Sequence, residues 1–172
     1  MNNRNSSKEN FVSIQQLQNK YIFWDIDGTL APYRFNGHIA DPEGTANGMS
    51  LKEIKDGVFL SRAPSRHMQN IIKTCGAKQH IIMGHYQVEK ERLDKEIWLD
   101  KHYPVIKERL LISENKSKAD SILHYCTQKC INLKNVVFVD DVIPFLQEAE
   151  RKGIMAFHIS SFLDWDFERS GL

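Results

Sequence analysis

Two aspartates two residues apart, Asp25 and Asp27, follow the apolar run Tyr21-Ile22-Phe23-Trp24 and lead directly into Gly28-Thr29-Leu30. Side chains alternate along an extended backbone, so both carboxylates can face one crevice at a strand end. Gly28 then lets the chain turn away sharply. A second acidic pair, Asp140-Asp141, ends another apolar run, Val136-Val137-Phe138-Val139. Four carboxylates in one crevice repel one another unless something cationic sits among them. A divalent ion with oxygen ligands and several waters meets that need, and Mg²⁺ fits the description. Ser61 follows the run Val58-Phe59-Leu60, and Lys116 follows the weaker run Leu110-Leu111-Ile112. A hydroxyl and an ammonium there would complement phosphate oxygens next to the ion.

Each of these residues also has a plainer reading. Asp and Gly favour turns, so Asp25 to Gly28 could simply close a strand. Asp140-Asp141 could cap the helix that follows. A lone serine is usually a loop residue and a lone lysine a solvated one. Arg62 is either a further wall of the phosphate site or a surface arginine. What favours the chemical reading is the order in which the four segments occur.

Those segments need a scaffold. The runs at Tyr21–Trp24, Val58–Leu60, His80–Met83, Val136–Val139 and Ile154–Phe157 lack alternation, as expected of strands covered on both faces. Helical stripes lie between them: Met68, Ile71, Ile72 and Cys75, bracketed by Pro64 and Gly76, then Ala119, Ile122, Leu123 and Cys126, then Val142, Phe145, Leu146 and Ala149. From Val88 to His102 the pattern is charged, with Leu93 and Ile97 as its apolar side and Glu91 placed to support Lys95. Strand alternating with helix predicts a doubly wound, mostly parallel α/β sheet with helices on both faces. In such sheets ligands bind outside the carboxyl ends of the strands.

Asp25-Ile-Asp27-Gly-Thr-Leu, Ser61, Lys116 and Asp140-Asp141 together resemble the four ordered motifs of the haloacid dehalogenase superfamily of phosphatases. The resemblance runs from about Tyr21 to Ser160. It implies that Asp25 is a nucleophile forming a phosphoaspartate and that Asp27 is the acid–base residue. That role implies a higher pKa for Asp27 than for Asp25. The Asp27 backbone carbonyl, rather than its carboxylate, would reach the metal. Ser61 and Lys116 would hold the phosphoryl oxygens, with Arg62 beside them. Asp141, with Asp25, would bind Mg²⁺, and Asp140 would support the ion or the lysine. Asn115 to Asp120 offers two lysines. Ser117 reads as a helix N-cap, which puts Lys118 in a first turn that mildly disfavours cations, so Lys116 is preferred.

No large cap domain fits between the motifs, and residues 31–57 read as a flap or minimal cap within one domain spanning 20–172. A looser likeness to the 5′(3′)-deoxyribonucleotidase branch rests on Glu89-Lys90, Trp98-Leu99, His102-Tyr103-Pro104 and Ser113 to Lys116. It suggests a nucleotide substrate with Trp98 covering the base.

Composition sets the outer bounds. The chain has 172 residues, 41% hydrophobic and 26% charged, which suits one globular domain; its net charge of +1 says nothing about nucleic-acid or membrane partners, and no nucleic-acid binding is indicated. No run is long and apolar enough to span a membrane. Residues 1–19 read as a polar tail without a secretory signal, giving a cytoplasmic expectation, although Val12, Ile14 and Leu17 could form a short docking helix. Three cysteines, Cys75, Cys126 and Cys130, read as buried reduced thiols. The histidines read as structural or surface residues. The expected partner is a phosphorylated substrate, a small molecule ahead of a protein, with the choice between them left open. Two other classes compete: a phosphate-accepting signalling domain of receiver type, and a non-catalytic binding descendant. A receiver has its acidic pair first and its acceptor later, the reverse of the order here.

Overall fold

The computed structural model describes residues 12–33 and 51–163. Five strands form one parallel sheet: β1 (Tyr21–Trp24), β2 (Gln79–Tyr86), β3 (Glu108–Ser113), β4 (Val136–Asp140) and β5 (Met155–His158), in the order β3-β2-β1-β4-β5. The α-helices are α1 (Ile14–Leu17), α2 (Leu51–Lys55), α3 (Arg66–Thr74), α4 (Glu89–His102), α5 (Lys118–Gln128) and α6 (Ile143–Arg151). The doubly wound parallel sheet read from the apolar runs is the observed architecture.

Alternation along the central strand divides the core in two. Ile22 and Trp24 pack with Met68, Ile71, Ile72, Trp98 and Leu99 from α3 and α4. Phe23 faces the other way, onto Ala119, Ile122, Leu146 and Ala149 from α5 and α6. Both faces of β1 and β4 are therefore dry, which is why their sequences run apolar without a break. Fully burying each such side chain contributes roughly 1.5–3 kcal/mol. The amino end of the described chain also docks: Val12 and Leu17 are buried, the latter on α1.

One expected strand takes a different form. Val58-Phe59-Leu60 belongs to a 3₁₀-helix, Val58–Ser61, entered through Gly57 in the left-handed region (φ 67°). Phe59 is buried and packs edge-on against Trp98, so the apolar run records one core contact rather than a sheet position. Of the expected flap at 31–57, residues 34–50 lie outside the described residues, while Ala31 and Ile54 join the core. The cysteines are free. Cys75 and Cys126 are buried, but Cys130 is exposed, beyond the end of α5, with a positive φ. No described helix is long and apolar enough to cross a membrane.

Trp24 engages a titratable group on the neighbouring strand β2. Its indole Nε1–H donates to His80 Nδ1 at 3.0 Å. Burial lowers the His80 pKa from its ordinary value, partly opposed by a backbone hydrogen bond with Ile72. The unfolded chain then binds a proton that the native site resists. This contribution to stability is complete above pH 6.5 and declines as the pH falls below it. Thermal melting at pH 7.5 and 5.5 should show a larger acid-side loss for the wild type than for His80→Gln.

Candidate active site

β1 lies between β2 and β4, so everything emerging from its carboxyl end is flanked by two strand ends. Trp24 pairs with Val139, and the Asp25 amide donates to the Val139 carbonyl at 2.9 Å. That register sets Asp25 beside Asp140, the last residue of β4. Asp25 and Asp140 are buried at 2% and 0% exposure, which no pair of carboxylates tolerates without a counter-charge. Lys118 supplies it. Its Nζ lies 2.5 Å from Asp25 Oδ1 and 2.7 Å from Asp140 Oδ2. Burial pulls this ammonium down, and attraction to Asp25 and Asp140 more than restores it, leaving its pKa raised.

Lys118, not Lys116, is thus the lysine that reaches the acidic cluster. The expected cap is present, since the Ser117 side chain accepts the Asp120 amide and Lys118 opens α5. The inference from the helix dipole failed because two carboxylates in contact outweigh a repulsion of a few tenths of a kcal/mol. Lys116 is exposed, and its carbonyl is engaged by His85 Nε2 at 2.8 Å.

Asp25, Asp140 and Asp141 each offer a carboxylate oxygen, all within 4.8 Å of one another. Three carboxylates against one ammonium leave an excess negative charge. Asp141 Oδ1 is buried with no hydrogen-bond partner. Burial, then repulsion from Asp140, pushes the Asp141 carboxyl up to about 6. An orphaned carboxylate oxygen in an under-neutralised oxygen cluster fits a hard divalent cation. Asp140 also anchors the helix that follows, because its Oδ1 accepts the Val142 amide at the start of α6.

Asp27 is held by a different set of partners. Its carboxylate is not part of the cluster of three. Arg62 Nη1 lies 2.8 Å from Oδ1, and Lys95 Nζ 2.6 Å from Oδ2. Burial raises its pKa, but Lys95 and then Arg62 override it, so the group ends below the ordinary carboxylate range. Asp25 is held well above its usual value, chiefly by burial, with Lys118 opposing and Asp140 adding. The two shifts thus run opposite to the expected order.

Ser61 is not brought to the cluster. It is exposed on the 3₁₀-helix and donates to the Val58 carbonyl at 2.8 Å. The strand beside β1 is β2, whose end carries His85 and Tyr86 instead. Arg62, next to Ser61, does enter the site through Asp27, with its guanidinium 5.3 Å from the Tyr33 ring centre. Trp98 is buried, donates to the Arg62 carbonyl at 2.8 Å and packs on Phe59 and Tyr103, so it is not available to cover a base.

A cleft of about 270 Å³ opens in front of Asp25, Asp27, Lys118 and Asp141, walled by Tyr33, His85, Tyr86 and Phe145. Composition and spacing left His85, Tyr33 and the site role of Lys95 unseen. The Glu91–Lys95 spacing was visible as a helix pair, but nothing in it distinguishes a buried pair from a solvated one. Gly28 explains how the two acidic segments meet. Its φ is +74°, and a Cβ there would stand 2.0 Å from Asp141 Oδ2. Gly28→Ala should cost roughly 1–2 kcal/mol of stability for the left-handed backbone. Displacing Asp141 should cost about a hundredfold in turnover. Melting and steady-state kinetics on the same preparation check both.

No protein-family model matches the chain, and no curated protein matches it. Solved structures do. A haloacid dehalogenase-like family hydrolase from Streptococcus pneumoniae superposes with TM-score 0.55 at 12% identity, over 88% of this chain and 92% of that one. A 3-deoxy-D-manno-octulosonate 8-phosphate phosphatase from Moraxella catarrhalis, solved with magnesium, phosphate and KDO, gives TM-score 0.43 at 18% identity, over 78% and 65%. With the parallel sheet order and the acidic cluster at the end of β1, the chain has the fold of the haloacid dehalogenase-like hydrolases.

Proposed function

We propose that this protein is a Mg²⁺-dependent phosphohydrolase acting on a small phosphate monoester through a phosphoaspartate at Asp25. The observation that carries the reading is the position of Asp25. It is a buried carboxylate at the end of the central strand, touching Lys118, within 4.8 Å of Asp140 and Asp141, and open to a cleft of small-molecule size.

In this reading Asp25, Asp140 and Asp141 would hold the ion, which supplies charge neutralisation for an approaching phosphate. Asp25 attacks phosphorus in line with the leaving oxygen, and Lys118 stabilises charge on the transferring group. Asp27 serves as acid and then as base. Its position between Arg62 and Lys95 suits the base role, in which it takes a proton from the water that releases Asp25. Arg62, which holds Asp27 Oδ1, would also meet the phosphoryl oxygens. Tyr33, Tyr86 and Phe145 offer apolar surface to the alcohol part of the ester. The order of the acidic segments favours turnover over the stable phosphorylation of a receiver.

The test is a panel of sugar, amino-acid and nucleoside monophosphates, with 4-nitrophenyl phosphate as a generic ester. Hydrolysis should require Mg²⁺ and stop with EDTA. Mg²⁺ at a hundred times its dissociation constant should stabilise the fold by about 2.7 kcal/mol, read as a rise in melting temperature. A protein that binds Mg²⁺ yet hydrolyses no ester in the panel would reject the enzymatic reading.

A further inference from the structure

The geometry points to Lys95 as a positioning residue that fixes the Asp27 carboxylate for the water-activating step, an inference that rests on the phosphohydrolase reading above. Lys95 lies on α4, yet it is 1% exposed. A lysine four residues after a glutamate on a helix ordinarily forms a solvated pair worth a few tenths of a kcal/mol. Here the pair faces the sheet instead. The three ammonium hydrogens have three acceptors: Asp27 Oδ2 at 2.6 Å, Glu91 Oε1 at 2.7 Å and the His85 carbonyl at 2.6 Å. With every donor used, the group has no freedom to rotate and no hydrogen left for a substrate.

The three acceptors come from three places: the loop after β1, helix α4 and the end of β2. Glu91 extends the connection, since its Oε2 accepts the Gln87 amide at 2.7 Å just beyond β2. One buried cation thus ties Asp27 to the strand end whose His85 and Tyr86 line the cleft. Burying a lysine and a glutamate costs several kcal/mol that packed apolar side chains would avoid. A purely structural role does not require the third partner to be Asp27, which lines the cleft two residues from Asp25 and lies outside the cation cluster. Arg62 holds Oδ1, so each oxygen of Asp27 has its own anchor.

In the step served, water oxygen attacks the phosphorus of the Asp25 acyl phosphate, and the water proton passes to Asp27. The P–O bond to Asp25 breaks, its electron pair returns to the Asp25 carboxylate, and inorganic phosphate leaves. Nothing is oxidised or reduced.

The test is stopped-flow hydrolysis of 4-nitrophenyl phosphate with Mg²⁺ by the wild type, Lys95→Met and Lys95→Gln. Nitrophenolate is a good leaving group, so first-turnover release should stay within about threefold of wild type, while steady-state turnover falls about a hundredfold. Phosphoryl adduct on Asp25 should accumulate, visible by mass spectrometry. A structural role alone lowers both phases by the same factor. That result, an unchanged steady state, or failure of both variants to fold would overturn the proposal. A wild type silent on every ester tested rejects the phosphohydrolase reading itself, and the proposal with it.

Discussion

Asp25→Asn should abolish hydrolysis while leaving the fold intact or slightly more stable. An amide keeps the shape of the carboxyl but cannot attack phosphorus, so turnover should fall on the order of ten-thousandfold, equivalent to about 5.4 kcal/mol of barrier. The stability prediction follows from the site's electrostatics. Asp25 is held well above the ordinary carboxylate range by burial, and then by Asp140 against the pull of Lys118. An acid whose folded pKa exceeds its unfolded value weakens the native state as pH rises through that interval. The neutral amide removes this penalty, and Lys118 keeps its contact with Asp140. Melting of the metal-free variant at pH 7.5 should therefore match or exceed that of the wild type. A large drop in melting temperature would show that the lost activity came from misfolding.

Lys118→Met is expected to do the opposite, damaging both stability and turnover. It leaves Asp25 and Asp140 buried without their cation, and breaking a buried ion pair from one side costs about 3–5 kcal/mol. Saturating Mg²⁺ should recover part of that loss, because the ion supplies charge to the same carboxylates. Turnover should remain down by about a hundred- to a thousandfold, the range for removing one preorganised donor. Lys116→Met is the internal control. Its side chain is solvent-exposed, and it should change stability by less than about 0.5 kcal/mol. Should Lys116→Met inactivate the protein and Lys118→Met spare it, the assignment made from the ion pairs would be wrong.

The contrast between these lysines shows where sequence reasoning stops. The acidic segments were legible because each follows an apolar run that becomes a strand of the sheet, and strand ends in a parallel sheet converge. Capping at Ser117 was legible for the same local reason. The choice of lysine was not local, because it depends on carboxylates far away in the chain, at Asp25 and Asp140. Ser61 was misplaced because an apolar triplet ending in Leu60 fits a strand or a 3₁₀ turn equally well. Only the pairing of β1 with β2 shows which segment neighbours Asp25. Lys95 stayed hidden because an i,i+4 pair with Glu91 reads as a solvated helix face, and because Leu93 and Ile97, read as the apolar side, are in fact exposed. Its burial becomes visible only when α4 is packed on the sheet.

The most direct test is a crystal structure of the protein with Mg²⁺ and beryllium trifluoride, which mimics a phosphoryl group on a carboxylate. The geometry predicts beryllium on a carboxylate oxygen of Asp25, with the ion held among Asp25, Asp140 and Asp141 and Lys118 beside the fluorides. A fluoride complex bound away from Asp25, or a cation held without Asp141, would contradict it.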